Sequence, residues 1–313
     1  NRRTWTFSTW VKRCTIGASQ VLINARTTDE DRIQFHSSNV FRIYFNGAAS
    51  AFLVTNRLFR DVSAWYHIVV AVDTTQGTAS DRVKIYVNGV QETSLSDTTY
   101  PGQNTDTSVN NTHVHIIGSR AAGLANKYFD GSMSHINFTD GTAYTPSAFG
   151  ETDATTGIWK PKTNPSVTYG TNGFFLKFEN SGAFGTDSSG NGNNFTVNGT
   201  MTQNIDTPAN VFATLNPLDG HIPHVVFSNG NNTADNNTAA KKSFARSTIG
   251  ASSGKYYFEA KLIQNADYVV IGISDRPSQS DTSELGQGAN EYSYQNSNGN
   301  KVNNDSFSSY GNS

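Results

Sequence analysis

Thr4, Thr6, Ser8 and Trp10 alternate with Trp5, Phe7, Thr9 and Val11 at the two-residue period of a β-strand. Short runs of the same kind follow at QVLINA (20–25), DRIQFHS (31–37), VFRIYFNG (40–47) and AFLVTN (51–56), each bounded by turn residues. WYHIVVAVD (65–73) differs, because His67, Val69 and Ala71 share one face while Ile68, Val70 and Val72 share the other. Both faces are mostly apolar, which predicts a strand in the middle of a sandwich. RVKIYVNG (82–89) places Val83, Ile85 and Val87 inward against Arg82, Lys84 and Tyr86, and its Asn88-Gly89 pair suits the positive φ angles of a tight turn. HVHIIGS (113–119) and YFDGSMSHINFTDGTAY (128–144) continue the series with no 3.6-residue period, so residues 1–165 are predicted to form an antiparallel β-sandwich.

Composition supports this reading. A chain of 313 residues implies two domains, and Gly 27, Tyr 13 and Phe 19 with only 15% charged residues describe strands joined by polar turns. A hydrophobic content of 35% suffices for thin sandwich cores, in which only the inward half of each strand is apolar. The net charge of −2 and the scattered Lys and Arg argue against a nucleic-acid partner. No apolar run approaches the roughly 20 residues that span a bilayer, and NRRTWTFSTW lacks a signal-peptide core, so no membrane role is expected. Cys14 is the single cysteine; it excludes an intrachain disulfide framework and is not expected to act as a nucleophile.

The ordered motifs D61VSAWYHIVVAVD, KIYVNGV, IIGSR and FDGSMSHINFTDGTAYTPSAFG resemble the laminin G-like branch of the concanavalin A-like lectin/glucanase superfamily. The resemblance implies a jelly-roll of two curved sheets that binds carbohydrate or protein, sometimes through calcium. Beyond the KPKTNP break at 160–165, GFFLKFENSGAFGTDSSGNGNNFTVNGT reads as a strand, a Gly/Asn-rich turn and another strand, so residues 166–210 are expected to be connector strands that complete the first sandwich, with the remnant of a repeat as the alternative. FARSTIGASSGKYYFEAKL (244–262) and YVVIGISD (268–275) resemble the first half of a SPRY domain, which assigns residues 211–313 to an incomplete second unit. The fold class expected is therefore all-β, an antiparallel jelly-roll β-sandwich followed by a second, incomplete SPRY-like β-sandwich. The abrupt start and the missing later SPRY strands suggest an internal fragment, and the tandem resembles bacteriophage tail-fibre, spike or head-appendage proteins.

Enzyme chemistry finds little support in the residues. Glucanases of this superfamily carry Glu-x-Asp-x-x-Glu on one strand, and the chain has no such triplet. Asp29-Glu30-Asp31 is consecutive and is expected in a solvated turn. G250ASSG254 matches Gly-x-Ser-x-Gly, but the strand expected after it, KYYFEAKL, replaces the helix that would expose Ser252. His113 and His115 share a strand face without an identifiable third metal ligand, and His67, His135, His221 and His224 read as ordinary strand and loop residues.

Binding chemistry is better represented. Asn126, Asp130 and Asp140 flank the FDGSMSHINFTDG strand and are the candidate calcium ligands, with turn-forming Asp-Gly pairs as the alternative. Tyr44, Tyr86, Tyr128 and Tyr144, with Tyr100 beside them, are candidate platforms for stacking on a pyranose ring. The function expected is a non-catalytic virion module that binds host glycan or neighbouring virion subunits and assembles with its own copies, a trimer included. A secreted or extracellular adhesin and a glycan-cleaving enzyme are the alternatives.

Overall fold

The computed structural model describes residues 1–26, 29–45, 51–120, 127–237, 242–264, 268–275 and 283–311. They fall into two compact units, Asn1–Phe212 and Ala213–Ser313.

Unit 1 is built from β1 (Thr4–Arg13), β2 (Gln20–Arg26), β3 (Glu30–Phe35), β4 (Val40–Phe45), β5 (Ala51–Leu58), β6 (Trp65–Asp73) and β7 (Val83–Val87). It continues through β8 (Val90–Gln91), β9 (Leu95–Thr99), β10 (Val114–Ile117), β11 (Gly131–Asp140), β12 (Gly150–Thr152), β13 (Trp159–Pro161) and β14 (Phe174–Leu176). One sheet has the order β14-β11-β1-β6-β7-β8 and the other β10-β2-β3-β4-β5-β9, and the pairs within each are antiparallel. This is the all-β sandwich expected of a jelly-roll. Trp5, Phe7, Val11, Ile68, Val70 and Val72 from the first sheet share one buried core with Ile33, Phe35, Phe41, Ile43 and Leu53 from the second. The Asn88-Gly89 turn joins β7 to β8 with φ of 49° and 83°, as the dipeptide predicts.

On the first sheet the outer face of β1, β6 and β11 is roofed by the chain that follows β11, while β7 and β8 stay partly exposed. Thr6 Oγ1 donates to Thr142 O at 2.8 Å, the Tyr169 hydroxyl donates to Asn137 Oδ1 at 2.7 Å, and the Lys12 ammonium meets Asp206 at 2.8 Å with both side chains buried. Trp159 on β13 lies over His67. Gly150, paired across β12–β13, leaves the room its indole needs, since a Cβ there would sit 2.4 Å from the ring. β1 is consequently buried along nearly its whole length, with the second sheet on one side and the roof on the other.

Three sequence expectations are corrected here. Glu30 and Asp31 do not sit in a solvated turn but open β3, exposed by only 4% and 1%. Their side chains alternate, so Asp31 turns inward to accept the backbone N–H groups of Ser108 and Val109 while Glu30 turns outward. The second strand expected within 166–210 is replaced by an isolated bridge between Leu176 and Asp187. The Asp187 carboxylate takes the N–H groups of Phe175, Ser189 and Asn193 and ends the ladder there.

Unit 2 contains β15 (Leu215–His221), β16 (Val225–Ser228), β17 (Thr233–Asn236), β18 (Phe244–Ser247), β19 (Val270–Ile273), β20 (Tyr292–Gln295), β21 (Asn300–Asn303) and β22 (Ser306–Ser309). They pair as β15-β18, β16-β17 and β19-β20-β21-β22. The third correction is KYYFEAKL, which is not a strand: Tyr256, Tyr257 and Phe258 are 74%, 83% and 59% exposed. A strand forms only where a neighbouring backbone completes its ladder, and among the described residues none lies alongside this one. Ser252 falls in the exposed turn before it, with no helix following.

Candidate functional site

On the outer face of the second sheet Arg42 and Tyr44 of β4 and Phe52 and Val54 of β5 are half-buried and in register, while Asn24 and Gln34 beside them are fully buried; Lys84 and Tyr86 of β7 are half-buried in the same way on the first sheet. Cross-strand pairing sets Asn24 beside Arg32, Arg32 beside Tyr44, Tyr44 beside Phe52 and Phe52 beside Thr99, while Arg42 pairs with Val54. The Arg32 guanidinium lies 4.5 Å from the centre of the Tyr44 ring, and that of Arg42 lies 4.5 Å from the centre of Phe52. The two rings are tilted against each other at 4.8 Å. Arginine and aromatic groups therefore interleave across three strands. Each stacked guanidinium keeps its in-plane N–H donors free for other partners.

Glu30 and Asp97 are carboxylates of this face, and Glu30 is the one that arginines engage. It accepts from Arg32 at 2.6 Å and from both Nε and Nη2 of Arg120 at 2.7 Å. Burial alone would raise its pKa, but the Arg120 hydrogen bonds and the charges of Arg32, Arg120 and Arg26 hold it below the ordinary carboxylate value. Lys127 is held below its usual range by burial and by the nearby charges of Arg32 and Arg120. The Nε of Arg32, the Nε of Arg42 and the amide of the fully buried Gln34 have no hydrogen-bond partner among the described residues. Asp97, on β9, turns its Oδ1 to the N–H and hydroxyl of Thr99.

The four candidate tyrosines are dispersed. Tyr44 lies in the arginine ladder, with Arg32 over its ring. Tyr86 stands on β7 of the first sheet, Tyr128 is exposed ahead of β11, and Tyr144 packs edge-on against Phe149 while its hydroxyl accepts from the Thr168 N–H. Tyr100, half-buried, lines a cavity of about 200 Å³ with Leu53, Val83, Ile85 and Leu95. Of the candidate calcium ligands, Asn126 lies outside the described residues. Asp130 precedes β11 and Asp140 ends it, so roughly 30 Å of extended strand separates them. The Asp140 carboxylate accepts from the Asn110 amide and the Asn172 N–H. Among the described residues no three His, Cys, Asp or Glu side chains gather as a metal site.

Ser8 and His67 meet on the roofed face in a pair that sequence inspection does not reveal. Trp159 Nε1–H donates to His67 Nδ1 at 3.0 Å, so Nε2 carries the proton and donates to Ser8 Oγ at 2.9 Å. Burial pushes the imidazole down to about 3, and it stacks on Trp10 at 4.6 Å. A proton-bearing Nε2 cannot accept from Ser8, an indole takes the place of the orienting acid, and both residues are fully buried. The pair is structural. His115 is likewise engaged, accepting the Asn110 N–H at 2.9 Å, and the Cys14 thiol is buried and pushed up to about 12.

Arg32, Arg42, Phe52 and Arg120 were absent from the residues singled out in the sequence. The signal was present in DRIQF and FRIYF, where alternation puts Arg32 and Gln34 on the polar face of one strand and Arg42 and Tyr44 on that of the next. The contribution of Arg120 depends on a tertiary approach that no local pattern encodes.

Comparison with known proteins places residues 1–147 in a match to the family model described as the concanavalin A-like lectin/glucanases superfamily. The laminin G-like reading of this region is supported by that match. A putative carbohydrate binding protein from Bacteroides ovatus is similar at 15% identity and a TM-score of 0.41, over 57% of this chain and 46% of that one. Domain 4 of AbnA, an extracellular arabinanase from Geobacillus stearothermophilus solved with arabinotriose, is similar at 17% identity and 0.35, over 46% and 64%. A heptameric SAP-like pentraxin from Limulus polyphemus is similar at 15% and 0.33, over 46% and 66%. The chain thus spans between 46% and 66% of the length of these structures. No curated protein matches it.

Proposed function

We propose that unit 1 is a non-catalytic glycan-binding module whose working surface is the outer face of β3, β4 and β5. The observation that carries the reading is the Arg32–Tyr44–Phe52–Arg42 ladder, which combines apolar ring edges for sugar C–H groups with guanidinium donors for sugar oxygens. The match of residues 1–147 to a family whose description includes lectins supports it. Glu30, clamped by two arginines, is a poor general acid, because ion pairing keeps it ionised where catalysis would need a raised pKa. The virion appendage setting, with contacts to neighbouring subunits and self-assembly, is part of this proposal and rests on the order of sequence motifs.

Hydrogen exchange of the full chain with and without a panel of oligosaccharides tests the reading. Protection is expected in β3, β4 and β5 and not in β1 or β6. A folded chain that no sugar protects, or protection confined to the first sheet, overturns it.

A further inference from the structure

The cations of the open face outnumber its carboxylates. Arg26, Arg32 and Arg120 act on the carboxylate of Glu30, Asp97 is turned to Thr99, and Lys127, whose carbonyl accepts the Val21 N–H beside β2, is held below its usual range by burial and by the charges of Arg32, Arg120 and Arg42. Arg32 and Arg120 are already paired with Glu30, whereas Arg26, Arg42 and Lys127 have no carboxylate partner among the described residues. This surplus of positive charge is concentrated on one face of a chain whose net charge is −2.

The aromatic groups point the same way. A sugar that binds by stacking needs a bare ring face, and Arg32 occupies one face of Tyr44 while Arg42 occupies one face of Phe52. The guanidinium beside each ring presents a planar fork of N–H groups, which pairs best with a carboxylate or sulfate.

Resting on the glycan-binding reading above, we infer that the ligand of this face is an acidic oligosaccharide. Its carboxylate or sulfate groups are taken by Arg42 and Lys127, with Arg32 and Arg120 behind them, and its ring C–H groups lie along the edges of Tyr44 and Phe52. Arg42 is the residue to change, because its guanidinium holds no hydrogen bond within the described structure and its removal leaves the Glu30 clamp intact.

The full chain is titrated with a hexuronic acid tetrasaccharide, with the same tetrasaccharide after carboxyl reduction, with a sulfated neutral tetrasaccharide and with inorganic polyphosphate. Binding to at least one acidic sugar is expected, at least tenfold tighter than to the reduced one, weakening with salt and falling about tenfold in Arg42→Gln and in Lys127→Gln. Lys84→Gln, on the other sheet, is expected to bind as the parent does. The carboxylated and sulfated arms tell which anion is preferred. Equal binding of the reduced sugar overturns the acidic assignment and leaves the glycan reading standing, while binding of no sugar by the folded chain removes both. Polyphosphate binding as tight as any sugar, or an equal loss in Lys84→Gln, reduces the face to unspecific charge and also overturns the inference.

Discussion

Trp159 packs its indole over Gly89 and Gly150 and donates to the fully buried imidazole of His67. Trp159→Phe keeps much of the ring and deletes the donor, leaving Nδ1 of His67 buried without a partner; a loss of about 1–3 kcal/mol is expected in urea unfolding. The same imidazole sets a pH dependence. Unfolded, it takes up a proton near its ordinary value of 6.5, but folded only near 3, so between these values the unfolded chain binds more protons and stability falls as pH falls. His115 and His135, both lowered by burial, act in the same direction, and the depressed Glu30 adds a further loss below about 4.5 as pH falls toward its folded value. Urea midpoints measured from pH 7.5 to pH 4 are expected to decline, and to decline less steeply in His67→Gln. A flat profile in the parent would contradict the buried neutral imidazole.

At the level of strands and their coverings, the Lys12–Asp206 pair fastens the last part of the roof to β1. Asp206→Ala leaves a buried ammonium unpaired and is expected to cost about 3–5 kcal/mol, whereas replacing both residues by apolar ones of similar size is expected to be nearly neutral. A double-mutant cycle in chemical denaturation measures both. Strand identity in unit 1 was legible because the two-residue period writes the core directly: Val83, Ile85 and Val87 are buried as their alternation requires, and the two-sided apolar pattern of β6 marks an interior strand. The pattern misled where a side chain did the work of a backbone, as at Asp187, and where a strand-like run had no neighbour, as at Tyr256–Leu262. Nor does it show the arginine ladder, because alternation within one strand marks single tyrosines, while the face is made by pairs of residues from adjacent strands.

For the whole molecule, division at Phe212 predicts that residues 1–212, which contain the two-sheet core and the roof, fold without the remainder. Circular dichroism of that fragment is expected to show a cooperative melt and a β spectrum, and loss of cooperativity would mean that unit 2 is needed for the core. Unit 2 has a sparser apolar interior, with Val302 its one fully buried hydrophobic side chain among the described residues, so it is expected to unfold at lower urea.

A sandwich that covers much of one of its two outer faces with its own polypeptide has a front and a back. Under the proposed glycan-binding reading, copies set side by side on a scaffold would turn every front toward the same target, and individually feeble contacts would multiply through effective concentration into firm attachment. Strength of adhesion would then be set by the number and spacing of copies, which leaves each one free to let go quickly.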